Sequence, residues 1–120
     1  MYDHVGLKVN DLDASVRFYS AVLGELGHVL ASRDESGAGL GPKGAPGLWL
    51  LAAKGRHTPV HVAFAAQNRA AVDAFHKAGL KAHARDNGAP GLRPDYSPTY
   101  YAAFLIDPDG NNVEAVCQRG

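Results

Sequence analysis

His4-Val5-Gly6-Leu7-Lys8-Val9, running through Asn10 into Asp11-Leu12-Asp13-Ala14-Ser15-Val16-Arg17-Phe18-Tyr19, is the stretch on which the fold turns. Its echo begins at His61, an offset of 61 − 4 = 57 that pairs His4-Val5 with His61-Val62, Phe18 with Phe75, Ala21 with Ala78 and Leu23 with Leu80. Each copy opens on a short alternating run rich in β-branched residues, Val5 to Val9 or Val60 to Phe64, which reads as a strand. A helix follows. Asp11 caps the first, with Leu12, Val16, Tyr19 and Leu23 at spacings of 4, 3 and 4 along one face and Gly24 and Gly27 as stops. Asn68 caps the second, whose stripe is Ala71, Val72, Phe75 and Ala78 and whose stop is Gly79.

Strand-like runs come after each helix: Leu26 to Ala31, Leu48 to Ala52, Leu80 to Ala84, Tyr100 to Ile106 and Asn112 to Cys117. A further strand before Leu48 completes the first unit, although Gly37 to Gly47 holds five glycines and two prolines, which weaken a ladder. Both copies thus read β-α-β-β-β. The fold class is α+β, one domain over 1–120, with a first module at about 1–55 and a second at about 58–120. Asp107-Pro108-Asp109-Gly110 is a turn that makes the last two strands a hairpin. Asp86 to Thr99 reads as a loop of fourteen residues with three prolines and two glycines, long enough to cover a binding site.

Composition bounds the rest. At 12.7 kDa, 46% hydrophobic and 20% charged, the chain is an ordinary globular one, neither disordered nor fibrous. Twelve basic residues balance twelve acidic ones, so no net field draws a polyanion and nucleic acid is not an expected partner. No apolar run approaches the roughly 20 residues of a spanning helix, and Met1 leads into Tyr-Asp-His without a basic and apolar leader. No membrane partner is expected, and the single cysteine, Cys117, agrees with a cytoplasmic protein.

Strand parity selects the chemistry. His4, Gly6 and Lys8 share one face of the first strand, opposite Val5, Leu7 and Val9, which meet the helix. His61 and Ala63 oppose Val62 and Phe64 in the same way, and Glu114 and Val116 oppose Val113, Ala115 and Cys117. Two imidazoles and a carboxylate therefore point away from the helices. Such a facial set binds one side of an iron, manganese, zinc or nickel ion and leaves its other positions to water or substrate oxygens. Tyr100, in step with Ala102 and Phe104, turns its phenol to the same face, whereas Tyr101 faces the helices. His28, His57, His76 and His83 read as surface residues, and Cys117 as a buried hydrophobe.

Met1-Tyr-Asp-His4-Val-Gly-Leu-Lys-Val-Asn-Asp-Leu-Asp-Ala-Ser-Val-Arg-Phe-Tyr19, His61-Val-Ala-Phe64 and Phe104-Leu-Ile-Asp-Pro-Asp-Gly-Asn-Asn-Val-Glu114-Ala resemble the vicinal oxygen chelate superfamily of glyoxalase I, fosfomycin-resistance transferases, extradiol dioxygenases and bleomycin-resistance proteins. The resemblance spans essentially the whole chain. It implies paired βαβββ modules curled into an incomplete barrel with a central cleft, a homodimer, and a small-molecule substrate that chelates the metal through vicinal oxygens. His4, His61 and Glu114 match the superfamily's ligands on the first, fifth and last strands. The fourth ligand of glyoxalase I, a Glu on the last strand of the first module, has no carboxylate counterpart in Leu48-Trp49-Leu50-Leu51, so glyoxalase I activity is not expected. The Ser-rich loop of the fosfomycin transferases is replaced by Gly88-Ala-Pro-Gly-Leu-Arg-Pro94, and Phe104 stands where the dioxygenases carry a tyrosine.

Two functions are expected to compete. In a metal-dependent lyase, transferase or dioxygenase, Glu114, Tyr100 and Lys8 are the catalytic candidates, with Trp49, Arg93, Tyr96 and Phe104 lining the substrate site. In a metal-free protein that sequesters a drug-like molecule, as bleomycin-resistance relatives do, Trp49, Phe104 and Tyr100 form an aromatic-lined pocket.

Overall fold

The computed structural model describes residues 1–119; Gly120, the end of the second module as read from the sequence, lies outside them. The first module runs β1 (Val5–Val9), α1 (Leu12–Gly24), β2 (Val29–Asp34), β3 (Gly37–Gly41) and β4 (Leu48–Ala52). The second runs β5 (His61–Ala65), α2 (Arg69–Lys81), β6 (Arg85–Leu92), β7 (Tyr101–Ile106) and β8 (Asn112–Cys117). Each module forms a four-stranded sheet, ordered β1-β4-β3-β2 and β5-β8-β7-β6, and neither closes into a barrel. In both sheets the first strand pairs parallel with the last, and the remaining pairs are antiparallel.

The two helices pack against each other and against one face of each sheet. Leu7, Val9, Leu48 and Leu50 from the first sheet and Leu105, Val113, Ala115 and Cys117 from the second bury themselves there with Phe18, Tyr19, Leu23, Val72 and Phe75. Apolar burial of this kind stabilises by about 25 cal/mol per Å². The opposite faces of both sheets point outward. No helix among the described residues is long and apolar enough to cross a membrane.

Both helices begin as their sequences predict, the Asp11 and Asn68 side chains accepting from the Ala14 and Ala71 amides. The first helix also ends at Gly24 and Gly27 as expected, whereas the end of α2 corrects the sequence reading. Gly79 does not stop α2; it is small because Leu105 packs on it, and a Cβ there would stand 2.2 Å from Leu105 Cδ1. The helix continues to Lys81 and closes at His83, the one non-glycine residue with positive φ (68°). Ala84 N–H donates to Gly79 O and His83 N–H to Leu80 O. The same pair of bonds, His28 N–H to Leu23 O and Gly27 N–H to Gly24 O, closes α1 around Gly27 at φ 88°. Leu80 to Ala84 is therefore helix end and turn, not strand, and β2 starts at Val29, three residues later than the expected Leu26.

The strand expected before Leu48 forms, while two other expectations, for the long loop and for His76, change. The glycine-rich β3 is a full inner strand: Gly39 accepts the Trp49 ring against its backbone, where a Cβ would stand 2.7 Å from the indole. The first half of the expected long loop is β6, paired to β7 with two register shifts, one between Asp86 and Gly88 and one between Gly88 and Gly91. His76, expected at the surface, is buried on α2 with its Nε2 2.9 Å from Asp86 Oδ1.

The Asp107-Pro-Asp-Gly turn forms its hairpin and also clasps the modules together. Tyr19 on α1 donates to Asp107 Oδ2 at 2.5 Å, while Asn10 donates through its backbone and side-chain nitrogens to Asp109 Oδ1, both at 3.0 Å.

Candidate functional site

Glu114 sits at the centre of the second sheet's outer face, level with Ala63 of β5 on one side and Phe104 of β7 on the other. It is 2% exposed, and an ionised carboxylate so placed needs partners for both oxygens. His61 Nε2 stands 2.9 Å from Oε1, and Tyr100 donates its phenol to Oε2 at 2.5 Å. Burial, then the bond to Glu114, push the Tyr100 pKa up to about 12, so the phenol keeps its proton through the neutral range.

The His61 ring is held from behind. Its Nδ1 lies 3.1 Å from the carbonyl oxygen of Asn112, which can only accept, so Nδ1 carries the hydrogen. In the neutral imidazole Nε2 then presents its lone pair to a carboxylate oxygen, an opposition relieved by a proton or a cation between them. A histidine whose rear N–H is fixed by a backbone carbonyl is how proteins orient a metal ligand. Two donor atoms about 2.1 Å from one ion and at right angles stand about 3.0 Å apart, close to the spacing observed. The pair fits a divalent ion.

An aromatic and cationic wall surrounds it. Phe104 stacks on His61 with ring centres 6.2 Å apart, and the Arg93 guanidinium lies 5.3 Å over Phe104. Gly88 is required beneath them: its φ is 153°, and a Cβ would stand 2.9 Å from the Phe104 ring. Residues 93–100 turn back over this face, with Arg93 N–H donating to Tyr100 O and Tyr96 N–H to Arg93 O. That turn brings the Tyr96 ring edge-on to Tyr100 at 5.0 Å.

His61, Glu114, Tyr100, Tyr96, Arg93 and Phe104 are thus brought together, while Lys8 and Trp49 lie on the corresponding outer face of the first sheet and His4 just ahead of β1, in an opening also lined by Val62, Ala63 and Phe64. His4 is exposed there, with Nδ1 2.7 Å from Asp3 Oδ1. Trp49 pairs across to Gly6 as Glu114 pairs across to Ala63, and so occupies the position of the carboxylate. Among the described residues no three His, Cys, Asp or Glu side chains gather to hold an ion.

A family model described as a glyoxalase-like domain matches residues 4–116. The chain belongs to the glyoxalase-like domain family. A glyoxalase/bleomycin resistance protein from Albidiferax ferrireducens T118 is 32% identical, with 97% of this chain and 98% of that one covered and a TM-score of 0.84. An enzyme of the glyoxalase/bleomycin resistance/dioxygenase family from Burkholderia phytofirmans PsJN shares the fold at 19% identity over 98% of each chain, TM-score 0.73. So does a lactoylglutathione lyase from Agrobacterium tumefaciens at 21% identity over 95% and 90%, TM-score 0.69. No curated protein matches the chain. These likenesses agree with the vicinal oxygen chelate superfamily.

Two parts of this glyoxalase-like site had no sequence signal: the Asn112 carbonyl that fixes His61, and Gly88 under Phe104. A backbone oxygen carries no letter, and the glycine's role depends on a ring packed from another strand.

Proposed function

We propose that this glyoxalase-like domain is a metal-dependent enzyme of the glyoxalase/dioxygenase type, a lyase, transferase or dioxygenase. It would act as a cytoplasmic homodimer on a small molecule with vicinal oxygens. His61 and Glu114 would hold the ion, iron, manganese, zinc or nickel, with His4 as third ligand. The observation that carries the reading is the 2.9 Å approach of His61 Nε2 to a buried carboxylate while Nδ1 is engaged by Asn112 O. When bound, the ion would act as a Lewis acid on substrate oxygens.

The remaining chemistry belongs to the chain. Tyr100 donates its one phenolic hydrogen to Oε2 of Glu114, holding the carboxylate and leaving Oε1 as the oxygen for the ion. Phe104 and Tyr96 exclude water from one side, and Arg93, with one guanidinium nitrogen on Ala89 O at 2.7 Å, keeps further donors for an anionic substrate group. Lys8 and Trp49 contribute from the first sheet. Trp49 at the place of a fourth carboxylate weighs against lactoylglutathione formation.

Elemental analysis of protein purified without chelators tests this. About one divalent ion per chain is expected, lost in His61→Ala while the circular dichroism spectrum stays native. A protein that cannot be loaded would leave the sequestering function, which the Phe104, Tyr96, Tyr100 and Arg93 wall also suits. Mixing His4→Ala with Glu114→Gln protein reads where His4 acts: recovery of binding in the mixture places it on the ion of a second copy.

A further inference from the structure

The segment between β4 and β5 is pinned along its length. Ala53 N–H donates to Val9 O, Gly55 N–H to Asn10 Oδ1, His57 Nε2 to Ala53 O at 2.6 Å, and Val60 N–H to Asn111 Oδ1. Gly55, at φ 136°, makes the bend. A connection held this way fixes the backbone from which its side chains project, which lowers the ordering cost of binding. Those side chains, Arg56, His57 and Thr58, line a cleft of about 370 Å³ together with Lys8 of β1 and Asn111.

No carboxylate lines this cleft. Among the described residues neither Lys8 nor Arg56 has an ion-pair partner. The two carboxylates of the adjoining turn are occupied elsewhere. Asp107 accepts from Tyr19, from the Asp109 amide and from both nitrogens of Asn111; Asp109 accepts from Asn10 and Ser15. A chain of zero net charge has therefore set two exposed cations, an imidazole and a hydroxyl around one opening without a counter-charge.

We propose that this cleft between the modules binds the phosphate group, or an equivalent dianionic oxyanion, of a small molecule. Arg56 offers a bidentate fork, Lys8 a point charge and Thr58 a hydroxyl donor, the donor types that oxyanions take. The inference shares Lys8 with the proposed enzyme but does not rest on its metal site, since among the described residues no hydrogen bond or ion pair joins a side chain of this cleft to the His61 or Glu114 side chain.

Titrating inorganic phosphate into chelator-treated protein, followed by amide chemical shifts, tests it. Saturable shifts centred on residues 8, 55–58 and 111 are expected, with sulfate competing and acetate binding more weakly. Arg56→Ala and Lys8→Ala should each weaken binding about tenfold, and Arg56→Lys by less. Lys43→Ala, outside the cleft, should leave it unchanged. Non-saturable shifts, shifts centred on Arg93, or equal losses in Lys43→Ala and Arg56→Ala would overturn the proposal. Because no metal is present, a failure here leaves the His61 and Glu114 assignment standing, and a failure to load metal leaves this one standing.

Discussion

The outer faces of the two sheets are built on one plan and filled with different chemistry. His4 and His61 open them, Gly6 and Ala63 follow two residues on, and the last strand then places Trp49 in one and Glu114 in the other. Level with these, the neighbouring strand carries Gly39 under the indole and Phe104 beside the carboxylate. A glycine leaves room for the indole to lie flat on the first sheet, while Phe104, Tyr100 and His61 wall in a charged group on the second. The repeated unit supplies two equivalent frames, and the exchanges of Trp49 for Glu114 and of Gly39 for Phe104 give their outer faces different chemistry.

The sharpest way to break this comparison is to alter both members of the pair. If Glu114 holds the ion as proposed, Glu114→Gln should reduce divalent-ion affinity more than about 100-fold by calorimetry, since even outer partners of a ligand count 10- to 100-fold. Trp49→Phe should leave that affinity unchanged. Equal losses would show the sheets to be coupled.

The helices extend the comparison to stability. At equivalent positions, 19 + 57 = 76, α1 carries Tyr19 and α2 carries His76, each bonded to an aspartate. Tyr19→Phe should cost about 2 kcal/mol in urea unfolding, because it removes a buried hydrogen bond to a charged group. Burial and the Asp107 charge raise the Tyr19 pKa well above its ordinary 10.0, so its contribution is complete below pH 10 and is lost as pH rises beyond it. In Tyr19→Phe that alkaline loss should shrink. The His76 pair acts at the other end: its hydrogen bond holds the Asp86 carboxyl below 3.8, a contribution present above that pH and lost as pH falls through the folded value. His76→Phe should flatten the acid limb alone.

Glycines give the next contrast. Gly79→Ala should destabilise by about 1–2 kcal/mol, as crowding against the buried Leu105 exceeds the gain in helix propensity. Gly24→Ala, with nothing within 4 Å of its Cβ, should stabilise by about 0.5 kcal/mol. At the matching left-handed helix ends, His83→Gly should stabilise by about 0.5–1 kcal/mol and Gly27→Ala should destabilise by a similar amount, read as opposite shifts in Tm.

Alternation and the 57-residue echo made the β-α-β-β-β order, the helix caps and the outward parity of His61, Glu114 and Tyr100 readable from letters alone, because these follow from local periodicity. The end of α2 was not readable: Gly79 signals a stop, yet it is a contact glycine whose reason is Leu105, 26 residues further along the chain. β6 was missed for a related cause, since Gly88, Pro90 and Gly91 are poor strand formers, and it is β7, pairing with Gly88 and Gly91 across two register shifts, that holds the segment extended.

From its sequence, then, this protein's two-module architecture, the faces of its strands and its candidate ligand types were determined, each a property of spacing along a few residues. Only the tertiary structure decided that His61, Glu114 and Tyr100 touch while His4 bonds Asp3 ahead of β1, that Trp49 is the counterpart of Glu114, and that the Asp107 turn clasps α1. Those are relations between distant segments, fixed by register and packing energies that no local pattern encodes.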